Sequence, residues 1–95
     1  MEWTQDEAIA FECAREVITE MMAICTSQIS DESSKATPDA DRLVQLRIER
    51  SNLFRERAAL HVADQSDIAR IRTNYGAIVR VWREENQAVV ANLMK

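Results

Sequence analysis

An all-α fold, a bundle of three helices built on an antiparallel helical hairpin, is what this sequence predicts, and three observations carry that expectation. One Gly, one Pro and five aromatics in 95 residues leave too few turn formers for a β-sandwich or barrel. From Asp39 to Leu93, large side chains recur at alternating three- and four-residue steps, the spacing that keeps one helix face turned to a partner helix. A single polar segment, residues 30–38 (SDESSKATP), is the one clear loop. Hydrophobic residues at 46% and charged residues at 29% match a folded domain and exclude a disordered tail. One domain covers residues 1–95, near the lower size limit for folding around a single core.

Helix 1 is expected over about residues 4–29. Thr4 followed by Glu7 forms a capping box, and Trp3 before the cap can pack back on the first turns. Phe11, Ile18, Met21, Met22 and Ile29 share a wide apolar face with Ala10, Cys13, Ala14, Val17 and Cys25. That arc spans about 200°, roughly twice the width a surface helix needs. Glu12, Glu16 and Glu20 follow one another on the other side at i,i+4 spacing, where like charges repel. Neighbours are therefore expected over both surfaces of helix 1.

Helix 2 is expected over about residues 38–62. Thr37 is a good cap, Pro38 suits the first helical position, and Asp39 and Asp41 favour the positive end of the dipole. Leu43, Leu46, Leu53, Phe54 and Leu60 share one face, with Arg50 and Arg57 inside that arc. Glu49, Glu56, Gln45 and Asn52 lie opposite. A joint at residues 61–67 (HVADQSD) has neither Gly nor Pro, yet continuing the stripe would place Asp64 and Asp67 in the seam. Asp64 and Ser66 are good caps, so a hairpin is favoured over one long helix. Helix 3, about residues 66–93, carries Ile68, Ile71, Tyr75, Ile78, Trp82 and Val89 in a narrow stripe and runs through Gly76 at a cost of about 1 kcal/mol relative to Ala.

Charge is unevenly spread. Net charge is −4, but residues 1–36 hold eight acidic side chains against Arg15 and Lys35, and residues 37–95 hold eight acidic against ten basic, nine of them arginine. If helix 1 folds back antiparallel to helix 2, Glu12, Glu16 and Glu20 lie at heights comparable to Arg57, Arg50 and Arg47. Pairing there would relieve the Glu–Glu repulsion and fix helix register. The alternatives are that the arginine stems pack over the seam and their heads reach solvent, or that these side chains contact an anion.

Several chemistries find no support in the residues. One His (His61) and two cysteines, Cys13 and Cys25, match no zinc spacing, and the same shortage leaves no readable Cys-His or Ser-His-Asp arrangement. The cysteines are twelve positions apart on one helix, about 18 Å, too far to bridge each other, which favours a reduced, cytoplasmic setting. One glycine allows no phosphate loop. No apolar run is long enough for a membrane span, and the acidic start is unlike a signal peptide. No cofactor is expected.

The function expected is that of a small non-enzymatic interaction module, an adaptor, inhibitor or regulator. Its protein partner is a second copy in a homodimer or a different protein. The expected interface joins the helix 1 residues Phe11, Ile18, Met21, Met22, Ile24 and Ile29 to Trp82, Val89, Val90 and Leu93 of helix 3. A nucleic-acid reading rests on Arg42, Arg47, Arg50, Arg55, Arg57, Arg70 and Arg72, set against an acidic pI and interleaved glutamates. An enzyme reading rests on architecture alone. Small helical chorismate mutases share this length and three-helix plan, but their Arg/Lys constellation has no counterpart here, where lysine occurs only at Lys35 and Lys95.

Overall fold

The computed structural model describes the backbone of residues 3–93 and the side chains of residues 3–87. It holds three helices, α1 (Gln5–Ser33), α2 (Ala40–Ala59) and α3 (Gln65–Leu93), with no strand among the described residues.

The capping box at the start of α1 forms as expected. The Glu7 N–H donates to Thr4 Oγ1 at 3.1 Å, and the Thr4 N–H donates to Glu7 Oε1 at 2.9 Å. The helix runs a full turn past residue 29, because Ser30–Ser33 contain no breaker and the Ser34 N–H and hydroxyl both return to the Ser30 carbonyl. Glu32 then clamps the turn into α2. Its carboxylate accepts from Lys35 Nζ at 3.0 Å and from the Asp39 N–H at 3.1 Å. The Lys35 hydrogen bond, followed by the Asp39 N–H, holds the Glu32 carboxyl below the usual range. Asp39 caps α2 by accepting from the Arg42 N–H at 3.1 Å, so α2 starts two residues later than the Thr37-Pro38 pair proposes. Aspartate is at least as good a cap as threonine, and Glu32 fixes Asp39 for the role.

The break between α2 and α3 is real and compact. Leu60 leaves the helix in an extended conformation, ending α2 short of residue 62. The His61 N–H donates to Asp64 Oδ2 at 3.0 Å, and the Asp64 carbonyl accepts the Ile68 N–H at 2.9 Å as the first bond of α3. Val62 is buried in the turn, while His61 stays exposed. α3 then continues through Gly76, whose φ is not positive.

The helices pair differently from a scaffold in which α2 and α3 form the hairpin and α1 packs along it. α1 packs against both α2 and α3, while among the described residues no Cα of α2 comes within 8 Å of a Cα of α3. Contacts of Arg50 with Thr26 and of Arg57 with Thr19 show α2 running antiparallel to α1. Ile68 and Ile71 join Ala14 and Ile18 in the core, and Val79 lies beside Ile24, so α3 follows the direction of α1. The Cα extents of 54 × 35 × 16 Å describe a flat layer with α1 in the middle. Two helices thus cover much of the wide apolar arc of α1 within one chain, leaving Phe11, Met21, Met22 and Ile29 partly exposed.

The core is a narrow file of side chains along α1. Ala14, Ile18 and Cys25 meet Leu53 of α2 and Ile68 and Ile71 of α3. Phe11, Met21, Met22, Leu60 and Tyr75 pack around this cluster while partly exposed. No polar or charged side chain is fully buried among the described residues.

Candidate functional site

The α1–α2 seam is held by an arginine–threonine ladder. Arg50 Nη1 donates to Thr26 Oγ1 at 3.1 Å, and Arg57 Nη1 donates to Thr19 Oγ1 at 2.9 Å. Both pairs are seven residues apart on their own helices, so one antiparallel register satisfies both. Each threonine hydroxyl spends its proton on the carbonyl four residues earlier, Thr19 on Arg15 and Thr26 on Met22. Its lone pairs are thereby turned outward to accept from the guanidinium. The arginines inside the α2 stripe thus meet threonines of α1, not its glutamates.

The glutamates of α1 go elsewhere. Glu20 bonds Arg83 of α3, and Glu12 lies 3.8 Å from Arg15 on its own helix. No ion pair among the described residues involves Glu16, and none joins Glu12, Glu16 or Glu20 to α2. Arg47 and Arg50 line a surface hollow with Met22, Ser51 and Phe54, and the Arg57 guanidinium lies 5.4 Å from the centre of the Phe54 ring. This edge is cationic and aromatic, although Arg50 and Arg57 are committed to the ladder.

The residues expected at a partner interface separate into three groups. Ile18 is fully buried and Ile24 nearly so, both inside this chain. Phe11, Met21, Met22, Ile29 and Trp82 are partly exposed. The side chains of Val89, Val90 and Leu93 lie outside the described residues.

A second concave surface lies where α2 and α3 fail to meet. It is a groove of about 260 Å³, bounded by Met21 and Cys25 of α1, by Glu49, Asn52, Leu53 and Glu56 of α2, and by Tyr75 of α3. Hydrogen bonds and ion pairs joining α2 to α3 among the described residues are confined to Glu56. The Tyr75 hydroxyl donates to Glu56 Oε2 at 3.1 Å, and Arg70 Nη2 stands 4.0 Å from Glu56 Oε1. Glu56 Oε1 is buried and accepts no hydrogen bond. Burial pushes the Tyr75 phenol up, and the Glu56 hydrogen bond adds to the shift. Burial also pushes the Cys25 thiol up, reinforced by the Glu49 charge. Both groups are therefore protonated at neutral pH, and a thiol held protonated is a poor nucleophile.

Sequence reasoning passed over Thr19 and Thr26, although their heptad spacing matches that of Arg50 and Arg57. It also placed Glu49 and Glu56 opposite the apolar stripe of helix 2, where the structure makes them a groove wall. Cys13 and Cys25 are free thiols, the first half-buried and the second buried. Among the described residues no group of three His, Cys, Asp or Glu side chains could hold a metal ion, and no helix is long and apolar enough to cross a membrane. Comparison of the chain with protein-family models, curated proteins and solved structures finds no match.

Proposed function

We propose that the chain is a non-enzymatic protein–protein interaction module, an adaptor, inhibitor or regulator that presents helical surfaces to a protein partner in the cytoplasm. The observation that supports this most is apolar surface left over after the core is built. Val44 and Ile48 on α2, and Ile78 and Val81 on α3, are about half exposed, and the α2–α3 groove is open. Val44 and Ile48 sit across α2 from the buried Leu46 and Leu53, so the core has no use for them. The protonated state of Cys25 and Tyr75 is in keeping with binding and against nucleophilic or general-base chemistry in the groove. A homodimer is one form this reading can take, with Phe11, Met21, Met22 and Ile29 of α1 partly exposed.

Affinity capture with the intact chain tests the reading. One stoichiometric protein partner, lost on Ile48→Asp, on Ile78→Asp or on the groove pair Glu49→Gln with Glu56→Gln while the fold is kept, is the expected result. Salt-sensitive retention of DNA or RNA would favour the nucleic-acid reading of the arginines instead. Saturable binding of an anionic metabolite would revive the enzyme class.

A further inference from the structure

We propose that the groove between α2 and α3 receives a basic amphipathic helix of a partner protein, seated on Met21, Cys25 and Leu53, with two cationic side chains one heptad apart facing Glu49 and Glu56. The inference rests on the interaction reading above and names the surface and the chemistry of the partner.

Geometry supplies the first argument. Helices in direct contact lie about 8–10 Å apart between axes, and among the described residues α2 and α3 do not approach closely enough for any Cα pair to fall within 8 Å. Both lean on α1, which floors the space between them. A helix laid there would complete a four-helix arrangement and cover the apolar floor.

Charge selects the occupant. Glu49 and Glu56 stand on one wall, seven residues apart and so about 10 Å along the helix, with Asn52 between them. Among the described residues Glu49 forms no ion pair, and Glu56 forms one only with Arg70, at 4.0 Å. Arg70 pairs with Glu56 from α3 without lining the groove, and Arg42 lies one heptad beyond Glu49, also outside the lining. No cation from α1 lines the space. An incoming lysine or arginine opposite each carboxylate would offset two like charges, and the chain's net charge of −4 steers the same class of partner. An acidic helix or a phosphate backbone would meet repulsion on this wall.

The test uses the intact chain as bait for a displayed library of amphipathic helices about 18 residues long, enough to span the α2 wall. Leucine is fixed at the core heptad positions and every flanking position is randomised. Enriched binders are expected to carry Lys or Arg at two positions one heptad apart. Their affinity should fall about tenfold on the double substitution Glu49→Gln with Glu56→Gln, which keeps the Tyr75 acceptor and side-chain size. It should hold on Ile48→Ser, across α2 from the groove. Binders without a cationic pair, or an affinity unmoved by the double substitution, would overturn the proposal. Binders that respond to Ile48→Ser or Ile78→Ser alone would sink the groove and leave the interaction reading standing. A library that yields no binder would count against both. Sedimentation showing a dimer that the double substitution dissociates would assign the groove to a second copy and overturn the partner helix.

Discussion

Ile18→Ala is the perturbation that bears most directly on how this chain buries its first helix. Ile18 is fully buried and belongs to the same cluster as Leu53 of α2 and Ile68 and Ile71 of α3. Alanine removes three carbon atoms, worth about 2.4 kcal/mol in lost transfer energy at ~0.8 kcal/mol each. A cavity among rigidly held neighbours raises the loss to about 3–4 kcal/mol. For a domain of this size that corresponds to a fall in Tm of roughly 12–30 °C. Urea melts followed by circular dichroism, run at two protein concentrations tenfold apart, measure it. Because the burial is supplied by the same chain, the loss should be equal at both concentrations. A loss below about 1 kcal/mol would mean that Ile18 is not packed as described. A loss that depends on concentration would mean that a second chain contributes to covering it.

Four further outcomes are expected. Gly76→Ala should stabilise the fold by about 1 kcal/mol in the same melts, since a Cβ at Gly76 meets no atom within 4 Å and the residue is inside α3; destabilisation would mean that the space is occupied. A double-mutant cycle of Thr26→Val with Arg50→Ala should give a coupling of about 0.5–1 kcal/mol, while Glu16→Gln changes stability by less than about 0.5 kcal/mol; the reverse ranking would restore the glutamates as the register partners. Tyr75 has a raised folded-state pKa, so its contribution is intact below the ordinary tyrosine range of about 10 and is lost as pH rises through the higher folded value. Tyr75→Phe should therefore flatten the alkaline limb of a stability–pH curve, and an unchanged limb would remove Tyr75 as its source. Iodoacetamide should alkylate Cys13 well before Cys25, read by peptide mass mapping, because burial both shields the Cys25 thiol and keeps it protonated; equal rates would contradict that packing.

Much of this architecture was legible in the residues, and the missing part has a definite cause. The capping box at Thr4–Glu7, the loop after α1 and the break before Gln65 all follow from local chemistry, and local chemistry is written in short stretches of sequence. The width of the apolar arc on α1 was also visible, and α2 and α3 both pack against α1, while Glu12 and Glu16 of the acidic row stay exposed. Periodicity states which face is apolar, however, and is silent on which helix covers it. A second chain was expected over Met21, Met22, Ile24 and Ile29; Ile24 is buried within this chain, and the other three stay partly exposed. The same silence hid the groove. Glu49 and Glu56 look solvated on a helical wheel because a wheel contains no neighbour, and only the placement of Tyr75 and Arg70 turns that face into a wall. The ladder was half visible. Arg50 and Arg57 stood out as charges in an apolar stripe, but threonines are too ordinary to draw notice until their lone pairs are seen facing the guanidinium groups.

The account turns on α1 as the central helix, with α2 and α3 leaning on it separately, since that arrangement leaves the groove open. Native-state hydrogen exchange tests it residue by residue. Amides of α1 between Ala14 and Cys25 should exchange only through global unfolding, while α2 and α3 open in independent, lower-energy steps, each without releasing the other. Slowest exchange in a cooperative α2–α3 unit, with α1 opening first, would contradict the central claim.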